Sequence, residues 1–159
     1  MNVAMNILMI ALLFWIFYED IKDRKVTLLV LLSVSVLGGF LHGKQQLLEV
    51  FFLTTLLNLA VVLLVIFVLF VYTKLKLKIA LFEAFGLGDL LFFLCMAISF
   101  PTASFLVLFS ASLIFSFVVS VVFQKQLKNL IPLAGLQALF LGLIIGTNEL
   151  FQVTNLYAF

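Results

Sequence analysis

Six apolar runs, separated by polar clusters only a few residues long, leave this chain little choice of fold. They lie at roughly 3 to 18, 26 to 41, 47 to 72, 86 to 100, 103 to 123 and 130 to 147. A helix needs about 17 to 25 apolar residues to cross hydrocarbon. With 66% of its residues hydrophobic and 10% charged, and a mean hydropathy of +1.38, the chain has too little polar surface to coat a soluble globule. The expected fold is all-α, a polytopic membrane helix bundle of about six transmembrane helices, with residues 1–159 forming a single membrane-embedded domain. The second and fourth runs are short. Sixteen helical residues reach about 24 Å, so those spans call for flanking residues, a thinned bilayer or a partly submerged loop.

The first run, Met1 to Tyr18, lacks a basic leader and a small-x-small cleavage site before Glu19, so it reads as a retained helix. Assigning the polar clusters alternately to two sides divides the cations sharply. Lys22, Arg24, Lys25, Lys74, Lys76, Lys78, Lys125 and Lys128 fall on one side, and Lys44 alone on the other. Because Lys and Arg accumulate in cytoplasmic loops, this separation implies an even number of spans with both termini outside. Lys74, Lys76 and Lys78 read as topology determinants that contact anionic lipid. Small residues recur on single helical faces, at Ser112, Ser116 and Ser120 and at Gly142 and Gly146, as close helix packing requires. The lone cysteine, Cys95, excludes an internal disulfide and a multi-cysteine zinc site. No metal, cofactor or nucleic-acid partner is implied, and no residue pattern assigns an oligomeric state.

A carboxylate at a helix centre in the bilayer costs at least about 2.5 to 3.5 kcal/mol, so each acid that touches a span needs a reason. Glu49 and Glu149 stand near the outer ends of spans, where water reaches them. Glu19 and Asp23 belong to a charged loop, Glu19-Asp20-Ile21-Lys22-Asp23-Arg24-Lys25. Asp20 closes the first span and Asp89 opens the fourth, beside Gly86-Leu87-Gly88. The first helix runs inward and the fourth begins inside, so the topology sets both carboxyl groups at the cytoplasmic end of the bundle.

Two carboxyl groups sharing a site resist simultaneous ionisation, so the pair holds one proton. That is the requirement of aspartic proteolysis: one carboxylate takes a proton from water while its protonated partner polarises the scissile carbonyl. Gly86 and Gly88, lacking Cβ, permit unusual dihedrals and the close approach of another backbone or of the first helix beside Asp89. By itself Gly-x-Gly-Asp is a weak string whose plain reading is a helix-start turn with a capping Asp. Its weight comes from Asp20 and the topology.

At these residues the chain resembles the type IV prepilin peptidases, members of the Gly-x-Gly-Asp class of intramembrane aspartyl proteases. In that family the first catalytic Asp ends a helix and is followed by basic residues and commonly an Ile-Pro pair. Asp20 with Arg24, Lys25 and Val26 resembles that segment, which favours Asp20 over Asp23. Glu83-Ala84-Phe85-Gly86-Leu87-Gly88-Asp89 is similar to the second motif, and Ile131-Pro132-Leu133-Ala134-Gly135-Leu136 to the start of the family's last helix. Thr27 stands where the family usually has Pro, and Leu91 where many members carry Lys. The resemblance implies an aspartic endopeptidase with catalytic Asp20 and Asp89, Gly86 and Gly88 in the active-site motif, and no cofactor. It further implies an inner-membrane location and a prepilin-like protein substrate. The substrate's short basic leader would be cut near a Gly at the cytoplasmic face, and Glu19, Asp23 and Glu83 would be available to greet it. The paired cysteines that accompany methyl transfer in bacterial members have no counterpart here, so peptidase activity without methyltransferase activity is expected.

Two other classes compete. A proton-coupled transporter subunit also uses intramembrane acids, but it needs a polar path, for which Asn58 and scattered Ser or Thr are the internal candidates, with His42 in an outer loop. An inactive structural relative would assemble with a pilus or secretion machine without cutting. The signal-peptide-peptidase branch shares the Gly-x-Gly-Asp string, but its roughly nine helices exceed this chain.

Overall fold

A computed structural model describes residues 3–78, 85–123, 132–151 and 156–157. Every regular element in it is helical: α1 (Val3–Asp23), α2 (Leu28–Gly43), α3 (Leu48–Tyr72) with a π-helical turn (Thr73–Leu77), α4 (Leu87–Ser99), α5 (Thr102–Val122) and α6 (Leu133–Phe151). Four of the helices are long and apolar enough to cross a membrane, α2 and α4 being shorter. Large apolar side chains cover the outside, among them Leu64, Val107 and Phe117, each more than 60% exposed. That inverted surface belongs to a membrane-embedded protein, where lipid replaces water against the apolar groups.

The helix ends follow from local chemistry. α1 continues one turn past Tyr18, so Glu19 to Asp23 are helical and not the loop expected from their charge; Glu and Lys are good helix formers. It stops at Arg24, whose left-handed φ of 55° breaks the repeat. Thr27, extended at φ −66° and ψ 122°, then starts α2. The two prolines stand just before α5 and α6, where their carbonyls accept the N–H of Phe105 at 2.8 Å and of Leu136 at 3.0 Å.

The short α4 is the centre of the bundle. Leu90, Phe92, Phe93, Cys95, Met96, Ala97 and Ser99 are buried on it, whereas α3 buries only Asn58 and Val62. At 13 residues, α4 spans about 20 Å, and it need not reach either lipid surface because other helices surround it. Its exposed backbone groups are met inside the protein instead. Asn58 of α3 donates from Nδ2 to the carbonyls of Ala97 at 2.9 Å and Phe100 at 2.8 Å, closing one end of α4. His42 is not in an outer loop, as the sequence led us to expect. It is fully buried in the last turn of α2, with Nδ1 3.0 Å from the Ile98 carbonyl and Nε2 3.3 Å from Thr54 Oγ1, because α2 runs past its apolar stretch to Gly43.

Small residues set the closest helix pairs. α2 meets α4 at Gly38, where a Cβ would overlap Ser99. α1 meets α6 at Gly142, where a Cβ would lie 3.7 Å from Leu13 Cβ and 3.6 Å from the Phe14 ring. Ser112, Ser116 and Ser120 form a buried face of α5, and their hydroxyls donate back to Phe109, Ser112 and Ser116 carbonyls of the same helix.

Candidate active site

The start of α6 draws Asp20 and Asp89 together. The first N–H groups of any helix lack partners within it and carry the positive end of its dipole. Here Ala134 N–H donates to Asp89 Oδ1 at 2.7 Å, and the next amide, Gly135 N–H, donates to Asp20 Oδ2 at 2.7 Å. Consecutive peptide units thus hold the two carboxyl groups at one helix end. Asp20 is buried, at 7% exposure, in the last turn of α1. Asp89 is half-buried in the first turn of α4.

Each carboxyl group is also fixed by its own surroundings. Asp89 Oδ2 accepts the N–H of Gly86 at 3.2 Å, so Asp89 caps its own helix with one oxygen and reaches α6 with the other. Gly135 permits the approach of Asp20, since a Cβ there would sit 2.9 Å from Asp20 Cβ and 3.0 Å from its Oδ2. Such a contact forces the neighbour to move. Gly135 was not singled out from the sequence; the nearby Pro132 marks the helix start but not the glycine's role.

The two motif glycines act differently from the expectation. No glycine among the described residues has a positive φ, and Gly86 is extended at φ −65° and ψ 146°. Unusual dihedrals are therefore not their contribution. Close approach is: a Cβ on Gly88 would lie 3.3 Å from Val26 Cγ2, placing the α1–α2 connection against the turn that carries Asp89.

Glu19 has local partners. Its Oε2 accepts Thr27 N–H at 2.9 Å, and its Oε1 accepts Thr27 Oγ1–H and Trp15 Nε1–H, each at 2.9 Å. Glu19 therefore ties the end of α1 to the start of α2. Thr27 stands where a proline was expected from the resemblance, and a proline has no N–H to make the first of these bonds. Asp23, the last residue of α1, is exposed and is the more accessible of the two acids. Glu83 lies outside the described residues, as do Lys125, Lys128 and Ile131. Among the described residues no three His, Cys, Asp or Glu side chains gather as a metal site.

The arrangement presents two carboxyl groups from different helices, one buried and one half-buried, each anchored by an amide in the first turn of α6. Compared with protein-family models, curated proteins and solved structures, the chain matches none.

Proposed function

We propose that the chain is an aspartic endopeptidase of the prepilin-peptidase kind, using Asp20 and Asp89 to activate water. The observation that carries this reading is the capture of both carboxyl groups by the consecutive amides of Ala134 and Gly135. A pair sharing one proton supplies a base and an acid at once. The ionised carboxyl takes a proton from water as the water oxygen bonds to the scissile carbonyl carbon. The protonated carboxyl hydrogen-bonds to the carbonyl oxygen as charge gathers there. The tetrahedral intermediate then collapses, the C–N bond breaks, and the proton held by the pair passes to the leaving nitrogen. Water is consumed, a carboxyl and an amino terminus are produced, and no bond to the enzyme forms. Fixing both acids on one helix end limits the reorganisation this requires.

The proposed substrate is a prepilin-like membrane protein with a short basic leader preceding a hydrophobic helix, and it serves pilus assembly or protein secretion. The proposed topology has six spans with both termini outside, in the inner membrane. The eight cations on one face orient the carboxyl pair toward the cytoplasm by the positive-inside rule. Exposed Asp23 lies at the same end of α1 as Asp20 and suits a basic leader.

The test is cleavage of prepilin-like substrates in membranes by the unmodified protein, Asp20→Asn and Asp89→Asn at matched expression. Loss of cleavage in both variants is expected, along with a bell-shaped pH profile belonging to the pair. Full activity in either variant removes that residue from the mechanism. Failure of the unmodified protein to cut several leaders would favour a transporter subunit or an inactive scaffold.

A further inference from the structure

The two carboxyl groups differ in how many backbone amides they engage. Asp89 accepts at both oxygens, from Ala134 N–H on Oδ1 at 2.7 Å and from Gly86 N–H on Oδ2 at 3.2 Å. Asp20 has a single amide donor among the described residues, Gly135 N–H on Oδ2 at 2.7 Å. An ionised carboxyl group is an acceptor at both oxygens, whereas a protonated one gives one oxygen to its O–H. Amides aimed at both oxygens therefore favour the ionised form. Asp89 has that environment, and Asp20 keeps an oxygen for a proton.

Position in the fold widens the difference. Asp89 is half-buried in the first turn of α4, at the positive end of that helix's dipole. Asp20 is buried, at 7% exposure, in the last turn of α1, at the negative end. Both meet the start of α6, so its contribution is common to them. A negative charge is costlier where the dipole opposes it and water is scarcer. Beyond the pair, α4 carries no charged residue and α6 only Glu149, near its far end. Around Asp20 in the sequence, the anions Glu19 and Asp23 largely offset the cations Lys22, Arg24 and Lys25.

We propose that Asp89 is the ionised base of the pair and Asp20 its proton carrier, a division of roles set by the backbone amides of Gly86 and Ala134. The inference rests on the peptidase reading. As the water oxygen bonds to the scissile carbonyl carbon, a water proton passes to Asp89. The Asp20 O–H hydrogen-bonds to the carbonyl oxygen as that atom becomes an oxyanion. The carbonyl then re-forms, the C–N bond breaks, and Asp89 passes its proton to the leaving nitrogen. Asp20 keeps its proton throughout, and Asp89 ends ionised as it began. Gly86 is thereby a positioning residue that acts through its N–H.

The chain has three aspartates, Asp20, Asp23 and Asp89, so aspartate labelled with carbon-13 at its carboxyl group gives three signals. The full chain in detergent is titrated by carbon-13 NMR, and Asp20→Asn, Asp23→Asn and Asp89→Asn assign the signals. Any two variants assign all three, so one that fails to fold does not block the test. As the pH rises, the Asp89 signal should reach its ionised position before that of Asp20. Thermal unfolding gives a second readout. Asn at position 89 sets its NH2 against one of two N–H donors and should lower the midpoint by about 5 °C at pH 7. Asn at position 20 still meets Gly135 N–H with its oxygen, and the midpoint should hold. With cleavage by the unmodified chain intact, titration in the reverse order or together overturns this inference alone. So does a midpoint fall in Asp20→Asn as large as that in Asp89→Asn. No cleavage of prepilin-like substrates by the unmodified chain overturns the peptidase reading and both catalytic roles with it.

Discussion

Gly135 donates its backbone N–H to the Asp20 carboxylate at 2.7 Å across 115 positions of sequence, and a Cβ on that glycine would intrude on the same side chain at 2.9 Å. Gly135→Ala should therefore displace Asp20 from its amide. Overpacking of this kind costs about 1 to 3 kcal/mol, and misplacing one acid by an ångström should lower cleavage by about 100-fold. Cleavage assays beside thermal unfolding in detergent check this. Normal activity in a folded Gly135→Ala protein would show that the carboxyl position does not matter.

Thr27 and Glu19 make a pair whose strength can be isolated. Thr27→Val removes the hydroxyl bond and should cost about 0.5 to 1.5 kcal/mol. Thr27→Pro keeps a compatible φ of −66° but removes both bonds to Glu19. In an otherwise unmodified chain it should destabilise, because the lost bonds outweigh the roughly 0.4 to 1 kcal/mol gained by stiffening the unfolded chain. In a Glu19→Ala background the same change should be neutral or stabilising. A double-mutant cycle of unfolding free energies reads the difference directly.

Asn58 closes the end of α4 with two bonds from Nδ2. Asn58→Ala leaves the Ala97 and Phe100 carbonyls without that donor and opens a gap, so a loss of about 2 to 4 kcal/mol is expected. Surviving protein should cut substrate normally, because Asn58 sits at the end of α4 away from Asp89. A selective loss of cleavage without loss of stability would instead give Asn58 a part in the chemistry.

Gly38 and Ser99 define how closely α2 and α4 approach. Gly38→Ala should lower the unfolding midpoint sharply, by about 1 to 3 kcal/mol in stability or more. Adding Ser99→Gly removes the atoms that the new methyl group meets and should recover much of the loss. No recovery would mean that the strain lies elsewhere in the α2–α4 contact.

Cysteine labelling tests the orientation. Single cysteines at positions 25 and 44 should react with a membrane-impermeant thiol reagent from opposite sides, position 44 from outside. Cys95 is 5% exposed in the bundle centre and should add little background. Labelling of both positions from one side would refute the six-span arrangement.

Hydropathy alone specified an all-helical chain and placed its helices close to their observed limits, because the transfer free energy of an apolar run does not depend on its partners. The same reasoning erred where charge met propensity. Glu19 to Asp23 extend α1, since helical hydrogen bonds and cap chemistry, not polarity, decide where a helix stops. His42, polar as well, is likewise inside a helix, in the last turn of α2. Asp20 and Asp89 could be chosen from the sequence because an acid beside a span is costly and therefore conspicuous. Their common anchor could not. Ala134 and Gly135 contribute backbone amides, which every residue but proline carries, and only the packing of α6 along α1, with its first turn at the start of α4, directs those two toward the carboxyl groups.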